Sequence, residues 1–225
     1  MVKTFPKAVS IILKRFCSQI PNGGIALPET NQDPLSQVIN AVQGIYGRKD
    51  QAHDLEHALR VRAWGKQIGI QEGADLLIVE LAAILHDIGR SGTLSKTHAE
   101  SGAALAGGIL HKCGYPEDTI EAVKAAVLSH SREGYEPETL EAKILYDADK
   151  LDFVGPMGIA RLFVWLGKEG KPFFGPDSCE SFYRERIRHY HEHIHTQTAR
   201  ALFEPLFLYS ENFWSELEKM RLKKG

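Results

Sequence analysis

The pattern of hydrophobic and polar positions is helical along almost the whole chain. Apolar residues recur three to four positions apart, and no convincing alternating run of strand residues interrupts them. Stretches rich in glycine and proline break the pattern at 21–34 and 168–176. The pattern therefore predicts helices over about 5–19, 35–46, 54–69, 74–87, 97–112, 117–130, 138–152, 157–168, 179–194 and 197–222.

The segment over about 74–87 differs from the others because it is apolar on nearly every side. Almost all residues from Leu76 to Leu85 are hydrophobic, so this helix must be covered by neighbours all round. Gly89 follows where a helix end commonly needs a left-handed residue. We expect an all-α, compact helical bundle in one domain, with the last two helices packed against it.

Composition and charge narrow the class of protein. With 43% hydrophobic and 25% charged residues the chain can build a substantial core, and its net charge of -2 gives no footprint for nucleic acid or an anionic membrane. The apolar run at 8–13 is too short to span a bilayer. Cys17, Cys113 and Cys179 are odd in number and far apart, which excludes a complete disulfide framework. We expect a cytoplasmic protein.

His86 and Asp87 end the apolar helix, where two consecutive polar side chains are costly. A buried, unpaired carboxylate must be neutralised or compensated. A bound cation does this directly, because it supplies charge and accepts lone pairs from both side chains. Taken alone, the pair is explained equally well by a helix end emerging into water, with His86 favoured by the helix dipole.

His57 lies one predicted helix earlier, on a stripe with Val61, Trp64 and Ile68. Since the apolar members of that stripe face the core, we expect His57 to face it too. A lone histidine on an apolar face is usually a packing residue, but here it is one of several candidate ligands.

Three acids, Asp147, Asp149 and Asp152, crowd one and a half turns of another helix. Like charges this close repel, and a nearby cation relieves the repulsion. Asp149 borders the buried face, whereas Asp147 and Asp152 are predicted to be more exposed. A solvated acidic face, with Lys143 and Lys150 as partners, suits those two acids better than it suits Asp149.

Two histidines and two carboxylates, with positions left for water, suit a first-row divalent ion. Mn or Fe is favoured, with Mg, Ni or Zn as alternatives, and the lack of matched cysteines argues against a structural zinc site. Such an ion can hold a phosphate oxygen and lower the pKa of a bound water.

Five ordered motifs make the chain resemble the HD superfamily, whose signature is H…HD…D. They are HDxxHxxRV at 53–61, LHDI at 85–88, HAxxG at 98–102, HS at 130–131 and DADKLDxxGxxGIAR at 147–161. An HD pair alone would be weak evidence, whereas five motifs in order are strong. The resemblance implies a single HD-type domain over residues 1–225, with a core at about 50–165. N-terminal helices over 5–46 and C-terminal helices over 179–222 would pack on that core.

The resemblance also implies a metal-dependent phosphohydrolase acting on a nucleotide phosphoester or phosphoanhydride. The ligands it assigns are His57, His86, Asp87 and Asp149. Asp87 could also take a proton, and His98 is a candidate acid or base. Histidines placed like His98 and His130 hold a second metal or bind phosphate in dinuclear relatives, although His130 could simply be favoured by a helix C-terminus.

Arg90 and Lys150 are the cations best placed to bind phosphate, although either could equally be a surface charge. Two rival functions stay open. One is a non-catalytic nucleotide-binding module that signals through its C-terminal helices. The other is a di-iron HD-type oxygenase resembling inositol oxygenase, which would use His57, His86, Asp87, His98, His130 and Asp149.

Overall fold

A computed structural model of the chain describes residues 33–46, 52–91, 98–131 and 135–221. Within these ranges the regular structure is helical and contains no strand, which confirms the all-α prediction. The predicted helix over 5–19 and Cys17 lie outside the described residues. The helices are α1 (Pro34–Tyr46), α2 (Leu55–Glu72), α3 (Leu76–Leu85), a 3-10 helix (Ile88–Ser91), α4 (His98–Lys112), α5 (Glu117–Ser129), α6 (Leu140–Phe153), α7 (Gly155–Lys168), α8 (Cys179–His193) and α9 (Gln197–Lys219).

Capping residues set the ends of α2 and the start of α3. The Asp54 side chain accepts a hydrogen bond from the backbone N–H of His57 at 2.9 Å, as its N-cap role requires. Helix α2 runs past the predicted end at Gly69 and stops at Gly73, which has a φ of 76°. Asp75 then caps α3, so these two helices follow each other with hardly any linker.

Helix α3 lies at the centre of the bundle, as its apolar pattern predicts. It packs against α1, α2, α5 and α6, and its residues from Val79 to Leu85 are all buried. Because α3 ends inside the molecule, His86 and Asp87 stand in the interior rather than in water. None of the described helices combines the length and the apolar character needed to cross a bilayer.

Gly89 does not adopt the left-handed conformation that we predicted. It lies inside the 3-10 helix, where a Cβ atom would overlap the backbone of His98 and Gly102. The glycine is needed for close approach, because this turn packs directly on the start of α4.

Helices α8 and α9 pack on α6 and α7 and share their hydrophobic cluster, with Tyr183, Phe203 and Trp214 almost fully buried. Asp147 ties α6 to the link between α8 and α9. Its carboxylate accepts from the His195 backbone N–H at 2.9 Å and from the Thr196 backbone N–H and hydroxyl at 2.8 and 2.7 Å. The prediction that Asp147 is exposed was therefore wrong, because the C-terminal helices cover it. The single-domain organisation stays a prediction.

Candidate metal centre

The four predicted ligands converge from three helices. His57 stands in the first turn of α2, His86 and Asp87 follow α3, and Asp149 lies on α6. His57 Nε2 is 3.2 Å from His86 Nε2 and 3.4 Å from Asp149 Oδ1. His86 Nε2 is 3.4 Å from Asp87 Oδ2. The structure thus brings all four side chains to one buried place, with only Asp149 measurably open to solvent, at 19% of its side chain.

The hydrogen bonds of the two imidazoles show that the site fits a cation. His86 Nδ1 donates to the Ala83 carbonyl at 2.8 Å, and His57 Nδ1 donates to the Asp152 carboxylate at 2.7 Å. Each Nε2 therefore presents a lone pair, and two lone pairs 3.2 Å apart repel unless a cation lies between them. Donor atoms that share an ion at about 2.1 Å stand roughly 3–4 Å apart. His57, His86 and Asp149 could accordingly hold a divalent metal.

His98 and His130 lie on the other side of Asp87. Their Nε2 atoms are 3.8 and 3.5 Å from Asp87 Oδ1, whereas Oδ2 of the same carboxylate faces His57 and His86. Both Nε2 atoms are buried without a hydrogen-bond partner. His86, Asp87 and His130 form a second group that could hold a metal. All six residues of the candidate set therefore belong to one cluster.

Arg90 places a positive charge beside Oδ1 of Asp87, the oxygen that faces His98 and His130. Its Nε donates to Asp87 Oδ1 at 2.7 Å, and its side chain is 36% exposed at the rim. Burial opposes ionisation of Asp87, yet its neighbours His86 and Arg90 hold its pKa well below the usual range. Burial, reinforced by the charge of Arg90, lowers the pKa of His98 to about 3. His98 is therefore neutral near pH 7, and its ring is a weak base that is better suited to bind a cation than to accept a proton.

Lys150 lies beneath Asp149 rather than at the surface. Its ammonium donates to Asp149 Oδ2 at 2.6 Å and to the His130 carbonyl at 3.0 Å, and it stands 4.6 Å from the centre of the Tyr146 ring. Burial opposes the charge of Asp149, but this ammonium and the histidines hold the carboxyl pKa well below its usual range. The lysine predicted to bind phosphate is thus engaged with a predicted metal ligand.

Asp152 was predicted to be exposed, and that prediction was wrong. It is 2% exposed, because α2 and α7 cover this part of α6. Its carboxylate accepts from His57 Nδ1 at 2.7 Å, from Arg60 Nε at 2.8 Å and from Arg161 Nη1 at 2.8 Å. The sequence carried a signal for this group, since Arg60 and Asp152 each follow a predicted ligand by three positions.

Comparison with known proteins agrees with the resemblance to the HD superfamily that the sequence motifs indicate. Residues 54–154 match the family described as HD domain. The protein YpgQ of Bacillus subtilis is 30% identical over 189 residues, which cover 81% of this chain and 91% of YpgQ. The crystal structure of YpgQ in complex with ADP superimposes with a TM-score of 0.72 at 28% identity, covering 84% of this chain and 96% of that one.

Two further solved structures are similar over nearly their whole length. One, described as a predicted HD superfamily hydrolase from an uncultured Thermotogales bacterium, is 30% identical with a TM-score of 0.61 and covers 81% of this chain and 90% of that chain. The other, an HD-superfamily hydrolase from Bacillus thuringiensis, is 26% identical with a TM-score of 0.69 and covers 85% and 98% of the two chains.

Proposed function

The chain belongs to the HD superfamily, and we propose that it is a divalent-metal-dependent phosphohydrolase that cleaves a phosphoester or phosphoanhydride bond of a nucleotide. The observation that carries the proposal is the pair of imidazole Nε2 atoms 3.2 Å apart, flanked by the buried carboxylate of Asp87 and the partly exposed one of Asp149. The choice of a nucleotide as the substrate is supported by the relative YpgQ, which was crystallised in complex with ADP.

The ligands in this proposal are His57, His86, Asp87 and Asp149, and Mn or Fe is the ion favoured for such a set of nitrogen and oxygen donors. When bound, the ion would polarise a phosphoryl oxygen and lower the pKa of a water molecule. The protein supplies a buried, low-dielectric surrounding in which both carboxylates stay ionised.

Arg90 fits the role of phosphate-binding residue better than Lys150 does. Its planar guanidinium stands at the rim of the site beside Asp87 and is partly exposed to solvent. Lys150 would have to exchange its contact with Asp149 for one with substrate. His98, being neutral and a weak base, fits the role of ligand to a phosphate-bound cation better than that of an acid or base that takes part in proton transfer.

The proposal is tested by loading metal-free protein with Mn²⁺ and offering nucleoside mono-, di- and triphosphates, while release of phosphate and pyrophosphate is measured. We expect release from at least one of them. Asp87→Ala should lose both Mn²⁺ binding and hydrolysis, by about 100-fold or more. Asp118→Ala, which removes an exposed acid at the start of α5, is the matched control and should change neither. An Asp87→Ala protein that keeps its metal and its activity would refute the assignment.

The di-iron oxygenase remains the second candidate, because all six of its required residues lie in the cluster. The guanidinium of Arg90, 2.7 Å from Asp87 Oδ1, favours the hydrolase, since it already supplies positive charge on the side of the second ion. Elemental analysis after anaerobic purification separates the two functions. Two irons per chain with uptake of O₂ would support the oxygenase, and one manganese without uptake would support the hydrolase.

A non-catalytic nucleotide-binding module is the third candidate. It would bind ADP or a related nucleotide without turnover in the presence of Mn²⁺, Fe²⁺, Mg²⁺, Ni²⁺ or Zn²⁺. The complete set of candidate ligands favours catalysis over this alternative.

A further inference from the structure

Asp152 is a buried carboxylate of α6 whose hydrogen-bond donors come from two other helices, α2 and α7. His57 Nδ1 of α2 and Arg161 Nη1 of α7 reach it at 2.7 and 2.8 Å. Arg60, one turn after His57, reaches it with Nε at 2.8 Å and with a terminal nitrogen at 3.1 Å. An anion with this many donors in the interior is fully compensated, and one of its partners is a candidate metal ligand.

The place of His57 in its helix explains why it needs a distant partner. His86 and His130 each donate Nδ1–H to the carbonyl three residues earlier in the same chain segment. His57 is the third residue of α2, so the corresponding carbonyl belongs to the capping residue Asp54. That carbonyl accepts from the backbone N–H of Ala58 at 3.2 Å. A carboxylate from α6 takes over the role that a local carbonyl has for the other two histidines.

An ionised carboxylate can only accept, so Asp152 fixes the hydrogen of His57 on Nδ1 and leaves the lone pair on Nε2 directed into the cluster. A carboxylate partner also makes the imidazole a better donor to a metal than a neutral partner does.

Arg60 and Arg161 keep Asp152 in this role. Their guanidinium groups occupy its oxygens and compensate its charge, so the carboxylate neither takes the imidazole proton nor turns to bind the cation itself. Arg161 also donates to the backbone carbonyl of Ala52, just before α2 begins. It thereby ties the start of the helix that carries His57 to α7.

We propose that Asp152, held by Arg60 and Arg161, is a positioning residue that fixes the tautomer and orientation of His57 as a metal ligand. This inference rests on the metal-dependent function proposed above. Asp152→Asn keeps the shape but replaces one oxygen with an NH₂ group. Oδ2, which accepts from His57, also accepts from Arg161 and Arg60, so the amide would keep its oxygen at that position, as a neutral and therefore weaker acceptor. The hydrogen of His57 would be held on Nδ1 less firmly, and its ring would be a weaker donor to the metal.

The first measurement is the affinity for Mn²⁺ alone, obtained from the electron paramagnetic resonance signal of the free ion. We expect Asp152→Asn to bind Mn²⁺ about 10–100-fold more weakly than the wild type. Glu80→Gln is the matched control, because Glu80 is also a buried carboxylate paired with two cations, Arg62 and Lys66, but lies outside the histidine cluster. It should lose stability and keep its Mn²⁺ affinity.

The second measurement reads the tautomer directly. In Zn²⁺-loaded protein labelled with ¹⁵N-histidine, the wild type should show a downfield Nδ1–H resonance from His57, assigned by its loss in His57→Gln. In Asp152→Asn this resonance should move upfield, because a neutral amide oxygen accepts a weaker hydrogen bond than a carboxylate does. Arg161→Gln keeps the carboxylate and removes one of its donors, so it should show a smaller loss of Mn²⁺ affinity in the same direction.

The outcomes separate the two proposals. Wild-type affinity and an unshifted His57 resonance in Asp152→Asn would overturn the positioning role and leave the hydrolase standing. An equal loss of affinity in Glu80→Gln would overturn it too, since the effect would then be one of general stability. If Asp152→Asn does not fold, unchanged affinity and an unchanged resonance in Arg161→Gln decide against it. A wild-type protein without affinity for Mn²⁺ would overturn both proposals.

Discussion

The histidines of the cluster are oriented by the ring nitrogen that faces away from it. In His57, His86 and His130 the Nδ1 atom is bonded to a carboxylate or a carbonyl, at 2.7, 2.8 and 2.5 Å. Each ring can therefore rotate little, and each Nε2 is directed inwards. All the hydrogen bonds that create this arrangement are made by groups of the protein itself.

His98 gives a prediction about pH. Its pKa falls to about 3 in the folded protein, from about 6.5 in an unfolded chain, because burial and the charge of Arg90 disfavour the protonated ring. The folded state of the metal-free protein should therefore lose stability as the pH falls from 6.5 towards 3, since the unfolded chain takes up the proton. His98→Gln should reduce this loss.

Urea unfolding midpoints measured with a chelator between pH 7.5 and 5 would show the difference. His111→Gln, which removes a histidine 60% exposed on α4, serves as the control and should follow the wild type. If the unfolding midpoints of His98→Gln and of the wild type fall equally with pH, the prediction is contradicted.

Among the helices, α3 and the 3-10 helix after it determine where the site lies. A central apolar helix delivers His86 and Asp87 to the interior, and the following turn packs on α4, which carries His98. The two sides of the Asp87 carboxylate therefore face residues from different elements. The close contact between the 3-10 helix and α4 depends on Gly89.

Gly89→Ala should disturb that contact. The added methyl group would overlap the backbone of α4, so we expect a loss of about 1–3 kcal/mol in the free energy of unfolding. Gly108→Ala is the matched control on α4, since nothing lies within 4 Å of its Cβ position. It should instead gain about 0.5–1 kcal/mol. Urea unfolding of both variants would check this, and a neutral Gly89→Ala would show that the contact is not tight.

Across the molecule as a whole, the C-terminal helices are connected to the site by polar as well as apolar contacts. Asp147, two residues before Asp149, accepts three hydrogen bonds from the link between α8 and α9. Tyr190 of α8 places its ring 5.4 Å from the ammonium of Lys150. These contacts favour one cooperative unit for the helices that the structure describes, and the single domain over residues 1–225 stays a prediction.

Unfolding monitored by two probes tests that organisation. The chain has three tryptophans, and Trp64→Phe with Trp165→Phe leaves only Trp214 of α9, which is fully buried. Its fluorescence and the far-ultraviolet circular dichroism of the whole chain should change in a single, coincident urea transition. A fluorescence transition at lower urea would instead show that the C-terminal helices unfold separately.

Local patterns were enough to predict the all-α class and the central position of α3, whereas the six polar residues of the cluster were assembled through the resemblance to the HD superfamily. Helical periodicity and capping residues are properties of neighbouring positions, and for the helices that the structure describes they gave bounds within a few residues of those observed. The periodicity of α6 also relates Asp147, Asp149 and Asp152 to the axis of their own helix. It carries no information about which other helix covers each face.

Only the tertiary structure decided the environment of those acids. Asp147 is buried because Thr196 reaches it from 49 positions along the chain, and Asp152 is buried because Arg60 comes from a helix 92 positions away. Gly89 likewise owes its role to α4 rather than to its own helix end. Burial and charge compensation depend on which distant segments meet, and that is settled by packing of the whole chain rather than by any local pattern.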